Sequence, residues 1–99
     1  MRLNAAQQQA IVETFLEVFG KGELRLFGSR VDDSKKGGDI DLYVQPFSSE
    51  NLGEKRIAYL AKLKRKIGDQ KIDLVIAKEP ARPIDLIAQE QGISLCRNH

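Results

Sequence analysis

The chain lacks most of the residue types that build disulfide frameworks, zinc sites and histidine-dependent active sites. Its 99 residues include one cysteine, Cys96, and one histidine, His99. A single cysteine excludes an internal disulfide framework and a cysteine-rich zinc site. A histidine at the very end of the chain argues against a catalytic triad, because that arrangement needs a histidine held firmly in place.

The chain also lacks a large excess of charge of one sign and has no long apolar run. Lys and Arg total 16 and Asp and Glu total 14, so the formal net charge is only +2. That balance does not favour a nucleic acid as a direct partner. No apolar run approaches the roughly 20 residues of a membrane span, and residues 1–9 show no signal-peptide pattern. We therefore expect a cytoplasmic protein in which residues 1–99 form a single domain.

Helical periodicity and strand alternation follow one another along the chain. Two amphipathic segments predict long helices, the first capped by Asn4 and the second opened by a capping-box pattern at Asn51. Pro83 suits the first turn of a shorter third helix. After it, Ile93 and Leu95 either form a short strand or simply pack. The predicted helices cover residues 4–19, 51–67 and 84–91, and the predicted strands cover residues 23–27, 39–44 and 71–77.

The order helix, strand, loop, strand, helix, strand, helix predicts an α/β (α+β) fold with a small mixed sheet and helices packed on one face. The first two strands are joined by a loop and should pair antiparallel. The second and third strands are joined by a helix and should pair parallel, as in a crossover unit.

Three carboxylates fall on the predicted strands. Asp39 and Asp41 are two residues apart and therefore share a face, while Asp73 is flanked by aliphatic residues. All three lie near the start of their strands, and parallel neighbours would bring those starts together. Clustered carboxylates repel one another, and a hard divalent cation such as Mg²⁺ or Mn²⁺ would remove the repulsion. Such ions assist phosphoryl-type transfer.

A glycine-serine turn completes the predicted site. Gly28 and Ser29 directly follow the first strand and should lie beside Asp39. Glycine permits close approach of a phosphate to the backbone, and serine offers a hydroxyl and an N–H. Three loop cations could neutralise a triphosphate, although the first of them could equally pair with a nearby acid: Arg30, Lys35 and Lys36.

These motifs resemble those of the DNA polymerase beta-type nucleotidyltransferase superfamily. The signature is Leu-Phe-Gly-Ser-Arg, then Asp-Ile-Asp-Leu after a short loop, with Asp73 matching the third carboxylate. The length and the stretch Ile-Asp-Leu-Ile-Ala-Gln-Glu-Gln-Gly-Ile-Ser-Leu resemble the minimal nucleotidyltransferase (MNT) branch. The resemblance covers about residues 10–95. It implies a polymerase beta-like fold and an antitoxin paired with a HEPN-domain toxin, onto whose tyrosine AMP is transferred from ATP.

The resemblance also assigns roles to individual residues. Asp39 and Asp41 would bind the metal ions, and Asp73 would complete the site and help deprotonate the attacking hydroxyl. The nucleotide would be bound by Gly28, Ser29 and Arg30. Two departures stand out: Val31-Asp32-Asp33 replaces the small residues and glycine of many relatives, and Gly38 precedes the first acid where serine is frequent.

Several alternatives remain open at this stage. The same fold could serve a non-catalytic antitoxin that neutralises its toxin by binding alone, or a subunit that modifies a small molecule such as an aminoglycoside. Tyr43 shares the face of the acids and either stacks on a base or packs within the protein.

Overall fold

The structure, a computed structural model, describes residues 3–28, 39–68 and 70–98. Among these residues the structure has three helices and four strands; the helices and the first three strands are those that the sequence predicts, with small shifts at their ends. The elements are α1 (Ala5–Val18), β1 (Gly22–Phe27), β2 (Ile40–Pro46), α2 (Leu52–Ile67), β3 (Ile72–Ile76), α3 (Pro83–Gln91) and β4 (Ile93–Asn98).

The four strands form one mixed sheet in the order β3-β2-β1-β4. β1 pairs antiparallel with β2, and β2 pairs parallel with β3, which confirms both predicted pairings. The C-terminal segment that the sequence left open between strand and packing is a strand, and it pairs antiparallel with β1. β3 and β4 are therefore the edges of the sheet.

One face of the sheet carries the main hydrophobic core. Helices α1 and α2 pack on this face and bury the aliphatic side chains that alternate along the two inner strands. Tyr59 of α2 is fully buried there, and its hydroxyl donates to the carbonyl oxygen of Ile11 in α1 at 2.9 Å. The buried strand residues of this core are Leu24, Leu26, Ile40, Leu42, Val44, Ile72 and Leu74.

The third helix lies on the opposite face of the sheet, so the prediction that the helices pack on one face holds only for α1 and α2. A second cluster joins Phe27 and Tyr43 of the sheet to Ala88 of α3. The rings of Phe27 and Tyr43 meet edge to face with centroids 6.5 Å apart. Because Asp41 is two residues from Tyr43 on the same strand, α3 covers part of the face on which the acids lie.

The two predicted helix caps have different outcomes. Asn4 forms a reciprocal capping box with Gln7, as predicted: its side chain accepts from the Gln7 N–H at 2.7 Å. The prediction for Asn51 is wrong. Its backbone is left-handed with φ +55°, and its side chain makes no capping hydrogen bond. In the described part of the chain, none of the helices combines the length and the apolar character needed to cross a membrane.

Candidate active site

Two of the predicted acids lie side by side on neighbouring strands. Asp41 of β2 and Asp73 of β3 are direct partners in the parallel register. Asp41 is half-buried and Asp73 is exposed at the edge of the sheet. Register in a parallel pair places side chains of opposed residues on the same face, so these two carboxyl groups point to the same side.

Asp39 lies just before β2 and carries an ion pair of its own. Its carboxylate is 3.4 Å from Nζ of Lys71, the residue that precedes β3. The Lys71 side chain is 71% exposed, so this pair is solvated and adds little stability. The ion pair neutralises part of the negative charge at the start of the two strands.

The pKa of Asp41 is raised above its ordinary value. Burial of the carboxylate is the largest cause, followed by the negative charges of Asp73 and Asp39 and a hydrogen bond with Asp73, while Lys71 acts in the opposite direction. The charges of Asp39 and Asp73 therefore act on Asp41 and disfavour its ionised form. Any cation bound there would lower this repulsion.

Gly28 lies against Asp41 where β1 ends. Its φ is +77°, a conformation that glycine adopts without cost, and Phe27 just before it pairs with Asp41 in the sheet. A Cβ atom at position 28 would overlap the carboxylate of Asp41. Glycine at this position therefore allows the close approach of backbone and acid without displacing the Asp41 side chain. Ser29, Arg30, Lys35 and Lys36, which the sequence placed in the same site, lie outside the described residues.

The donor set fits a hard divalent cation. Asp41 and Asp73 offer carboxylate oxygens on one face, and the repulsion between them is the kind that such a cation relieves. Among the described residues, no group of three or more His, Cys, Asp or Glu side chains is arranged to hold a metal ion. The binding of Mg²⁺ or Mn²⁺ by Asp39, Asp41 and Asp73 therefore stays a prediction.

A buried carboxylate next to the site was not predicted from the sequence. Asp85 of α3 is fully buried and accepts from the hydroxyl of Tyr43 at 2.9 Å and from the backbone N–H of Arg82 at 2.7 Å. The guanidinium of Arg82 also donates to Asp85, from Nε at 2.8 Å. The Arg82 hydrogen bond is the main cause that holds the pKa of Asp85 well below its usual range. The sequence signal that could have revealed this carboxylate is an aspartate at the third residue of a helix, where its side chain can cap the helix start.

The contacts of Tyr43 with Asp85 and Gln89 decide between its two hypothetical roles, stacking on a base and packing within the protein. The side chain is fully buried and its hydroxyl also accepts from Nε2 of Gln89 at 3.1 Å. Burial and the hydrogen bond to Asp85 together raise the pKa of the Tyr43 phenol, with burial as the larger effect. Tyr43 therefore packs between sheet and α3, and stacking on a bound base is excluded in this arrangement.

The same fold occurs in chains of solved toxin–antitoxin complexes. One is an MntA–HpeT mutant with two aspartates changed to glutamate, at TM-score 0.75 and 20% identity, covering 98% of this chain and 75% of that chain. A second is a toxin–antitoxin structure with AMP-PNP, at TM-score 0.75 and 21% identity, covering 93% and 74%. A third is the tri-AMPylated Shewanella oneidensis HEPN toxin in complex with MNT antitoxin, at TM-score 0.70 and 22% identity, covering 93% and 71%.

These likenesses confirm the predicted mixed α/β fold: the described residues form a mixed four-stranded sheet and three helices, and the chain shares this fold with chains of those complexes. A scan against protein-family models and a search of curated proteins find no match. At 20–22% identity, the shared fold is what the structural matches establish. The chemistry of this chain has to be argued from its own residues.

Proposed function

We propose that this chain is a nucleotidyltransferase antitoxin that transfers AMP from ATP to a tyrosine of a HEPN-domain toxin. The observation that carries the proposal is the pairing of Asp41 with Asp73 beside the glycine turn at Gly28, on this fold. Structural neighbours include a complex with AMP-PNP and a complex with an AMPylated toxin. Both the fold and the acid pair are thus of the kind that nucleotidyl transfer requires.

The roles proposed for the site residues are those that the resemblance to nucleotidyltransferases implies. Asp39 and Asp41 would bind Mg²⁺, or Mn²⁺ in its place, and the cation would supply charge neutralisation for the triphosphate of ATP. The backbone at Gly28, with Ser29 and Arg30 next in sequence, would contact the phosphates. Asp73 is the exposed member of the acid pair and is the one that an incoming hydroxyl can reach.

The reaction is a displacement at phosphorus. The tyrosine oxygen attacks the α-phosphorus of ATP, a new P–O bond forms, and the bond to the β-phosphate bridging oxygen breaks to release pyrophosphate. Asp73 accepts the phenolic proton as the bond forms, which is general-base catalysis. Because Asp73 lies on an edge strand, a tyrosine of a partner protein can approach it from solvent.

A non-catalytic antitoxin that acts by binding alone is the second candidate. The ion pair between Asp39 and Lys71 favours it, because this contact occupies a carboxylate that catalysis would require for the metal ion. In the described part of the chain, no ready-made group of three acidic ligands is present either. The two candidates differ in whether the toxin gains mass.

The test is to incubate the purified chain with the product of its neighbouring gene, Mg²⁺ and ATP, and to measure intact masses. The toxin should gain one or more AMP units, and the Asp39→Asn, Asp41→Asn double variant should add none. The matched control is the Glu50→Gln, Glu54→Gln double variant, which removes two charges from exposed positions at the start of α2. A toxin that is inhibited but unmodified by the wild-type chain would establish the binding antitoxin instead.

A further inference from the structure

Helix α3 crosses the face of the sheet that carries the acid pair. Its start is held at the C-terminal end of β3, where Arg82 donates from Nη2 to the carbonyl oxygen of Ile76 at 3.0 Å. Its end lies beside β1, because Gly92 directly follows the helix and its carbonyl oxygen accepts from Nη1 of Arg25 at 3.3 Å. The helix therefore runs diagonally from the β3 edge towards β1, and the acid pair lies to one side of it.

The side of α3 that borders the acid pair is aliphatic. Ile84 packs together with Val75 and Ala77 of β3 against the second cluster. Val75 is two residues from Asp73 on the same strand and therefore on the same face, so the side of α3 that meets Val75 also faces Asp73. Helical spacing places Ile87 on the same side of the helix as Ile84, three residues further along.

The surface next to Asp73 has a polar part and an apolar part. The polar part is the exposed carboxylate of Asp73 itself. The apolar part consists of Val75, which is half-buried, and Ile87, which is 45% exposed. We call the side chains of Val75 and Ile87 the aliphatic wall. A ligand that fits this surface combines a hydroxyl with an apolar body.

A tyrosine side chain has this combination. Its ring is a large apolar group that carries a hydroxyl at one end, so a ring laid against the aliphatic wall can direct its hydroxyl to Asp73. A serine or threonine hydroxyl has no apolar body of comparable size. In the proposed function the phosphates of ATP contact Gly28, which lies against Asp41 at the end of β1. The wall beside β3 is therefore on the side of the acid pair that is left for the acceptor.

We infer that the aliphatic wall is the acceptor subsite of this chain and that it gives the chain a preference for tyrosine over aliphatic hydroxyls. This inference rests on the proposed function. Val75 and Ile87 take no part in bond formation. They hold the ring of the acceptor so that its phenolic oxygen stays beside Asp73, and their contribution is the burial of apolar surface. It therefore affects the binding of the acceptor and not the binding of ATP.

A titration tests the subsite without any transfer reaction. The ¹⁵N-labelled chain is titrated with N-acetyl-tyrosinamide and, separately, with N-acetyl-serinamide. The tyrosine compound should shift the amide resonances of Asp73, Val75 and Ile87, and the serine compound should leave them in place. Ile57 of α2 is 71% exposed and belongs to a helix on the opposite face of the sheet, so it reports non-specific apolar contact. Equal shifts at Ile57, or no shifts at Val75 and Ile87, would overturn the inference.

A matched pair of variants measures the contribution of the wall. Ile87→Gln replaces a partly exposed aliphatic side chain with a polar one that is also a good helix former. The control Leu86→Gln makes the same kind of change at a side chain that is 56% exposed and lies about 100° round the helix. Ile87→Gln should lose most of the shifts caused by N-acetyl-tyrosinamide, and Leu86→Gln should keep them. Equal responses of the two variants would contradict the assignment of Ile87.

Transfer kinetics with the product of the neighbouring gene separate this inference from the proposed function. Ile87→Gln should raise the KM for the acceptor about tenfold, as expected for the loss of an aliphatic contact, and leave the KM for ATP unchanged. Ile87→Leu, which keeps the wall aliphatic, and Leu86→Gln should both stay near the wild type.

Three kinetic outcomes would overturn the inference: an unchanged acceptor KM in Ile87→Gln, a rise in the KM for ATP instead, or equal effects of Ile87→Gln and Leu86→Gln. Absence of any transfer by the wild-type chain would instead count against the proposed function. In that case the titration with N-acetyl-tyrosinamide would still decide whether the aliphatic wall binds a phenol.

Discussion

Asp41 and Asp73 are direct partners in the parallel pairing of β2 and β3, and the pKa of Asp41 is raised in part by the charge of Asp73. This opposition lowers the stability of the folded chain at neutral pH, because the charge of Asp73 disfavours ionisation of Asp41. The fold holds them together nonetheless, since the core on the opposite face fixes the register. This arrangement makes the site sensitive to charge, pH and cations.

Replacing Asp41 with Asn should raise stability at neutral pH and abolish AMP transfer. A carboxyl with a raised folded-state pKa destabilises the fold when ionised, so wild-type stability should increase as the pH falls through the folded pKa towards the ordinary value. The advantage of Asp41→Asn should therefore be full at pH 7 and vanish at acidic pH. Urea midpoints across pH measure this, and a variant that is less stable than wild type at pH 7 would contradict the assigned repulsion.

Mg²⁺ with ATP should raise the melting temperature of the wild-type chain, because a ligand that binds only the folded state stabilises it. Asp41→Asn should not respond, since it lacks the carboxylate assigned to the metal ion. The exposed variant Glu54→Gln provides the matched control and should respond as the wild type does. Identical responses of Asp41→Asn and the wild type would refute the assignment of Asp41 to the metal site.

Asp85→Asn should destabilise the chain by about 2 kcal/mol or more, because it removes the charge from a buried, hydrogen-bonded group. The folded pKa of Asp85 is lowered, so its stabilising contribution is present above the ordinary pKa of Asp and is lost as the pH falls below it. The gap between wild type and Asp85→Asn should therefore narrow below pH of about 4. Tyr43→Phe removes one hydrogen bond to Asp85 but keeps the charge of Asp85. It should lower the free energy of unfolding by only about 1 kcal/mol, with less dependence on pH.

Much of the fold could be predicted because its signals are local. The alternation of Ile40, Leu42 and Val44 fixes one buried face of β2, and the loop and helix connections fix the pairing directions. The side of the sheet that α3 takes could not be predicted in this way. It depends on the buried contacts of Tyr43 and Asp85, which are 42 residues apart in the chain.

The candidate site was only partly predictable for the same reason. Spacing on the strands identified Asp39, Asp41 and Asp73, and the structure places Asp41 opposite Asp73. The ion pair of Asp39 with Lys71 depends on how the start of β3 meets the start of β2. Sequence periodicity describes single elements and not the spaces between them.

The two asparagines that precede helices should respond differently to substitution. Asn4→Ala removes a side-chain acceptor from the Gln7 N–H and should cost about 1 kcal/mol. Asn51 makes no capping bond and has φ +55°, so Asn51→Gly should leave stability unchanged or higher. Chemical denaturation of both variants checks this, and a clear loss in Asn51→Gly would show that its side chain does stabilise α2.

Gly28→Ala should reduce AMP transfer far more than Gly20→Ala, although both changes impose the same backbone strain. The two glycines have φ of +77° and +75°, so alanine at either position should cost about 1–2 kcal/mol. A Cβ at position 20 meets nothing within 4 Å, whereas a Cβ at position 28 overlaps the carboxylate of Asp41. Gly28→Ala must therefore displace Asp41 from its place beside Asp73. We expect transfer to fall at least about 100-fold in Gly28→Ala, as a misplaced catalytic group does, and to stay near wild type in Gly20→Ala at temperatures where both are folded. Equal activities of the two folded variants would show that the position of Asp41 against the glycine turn is not required for the reaction.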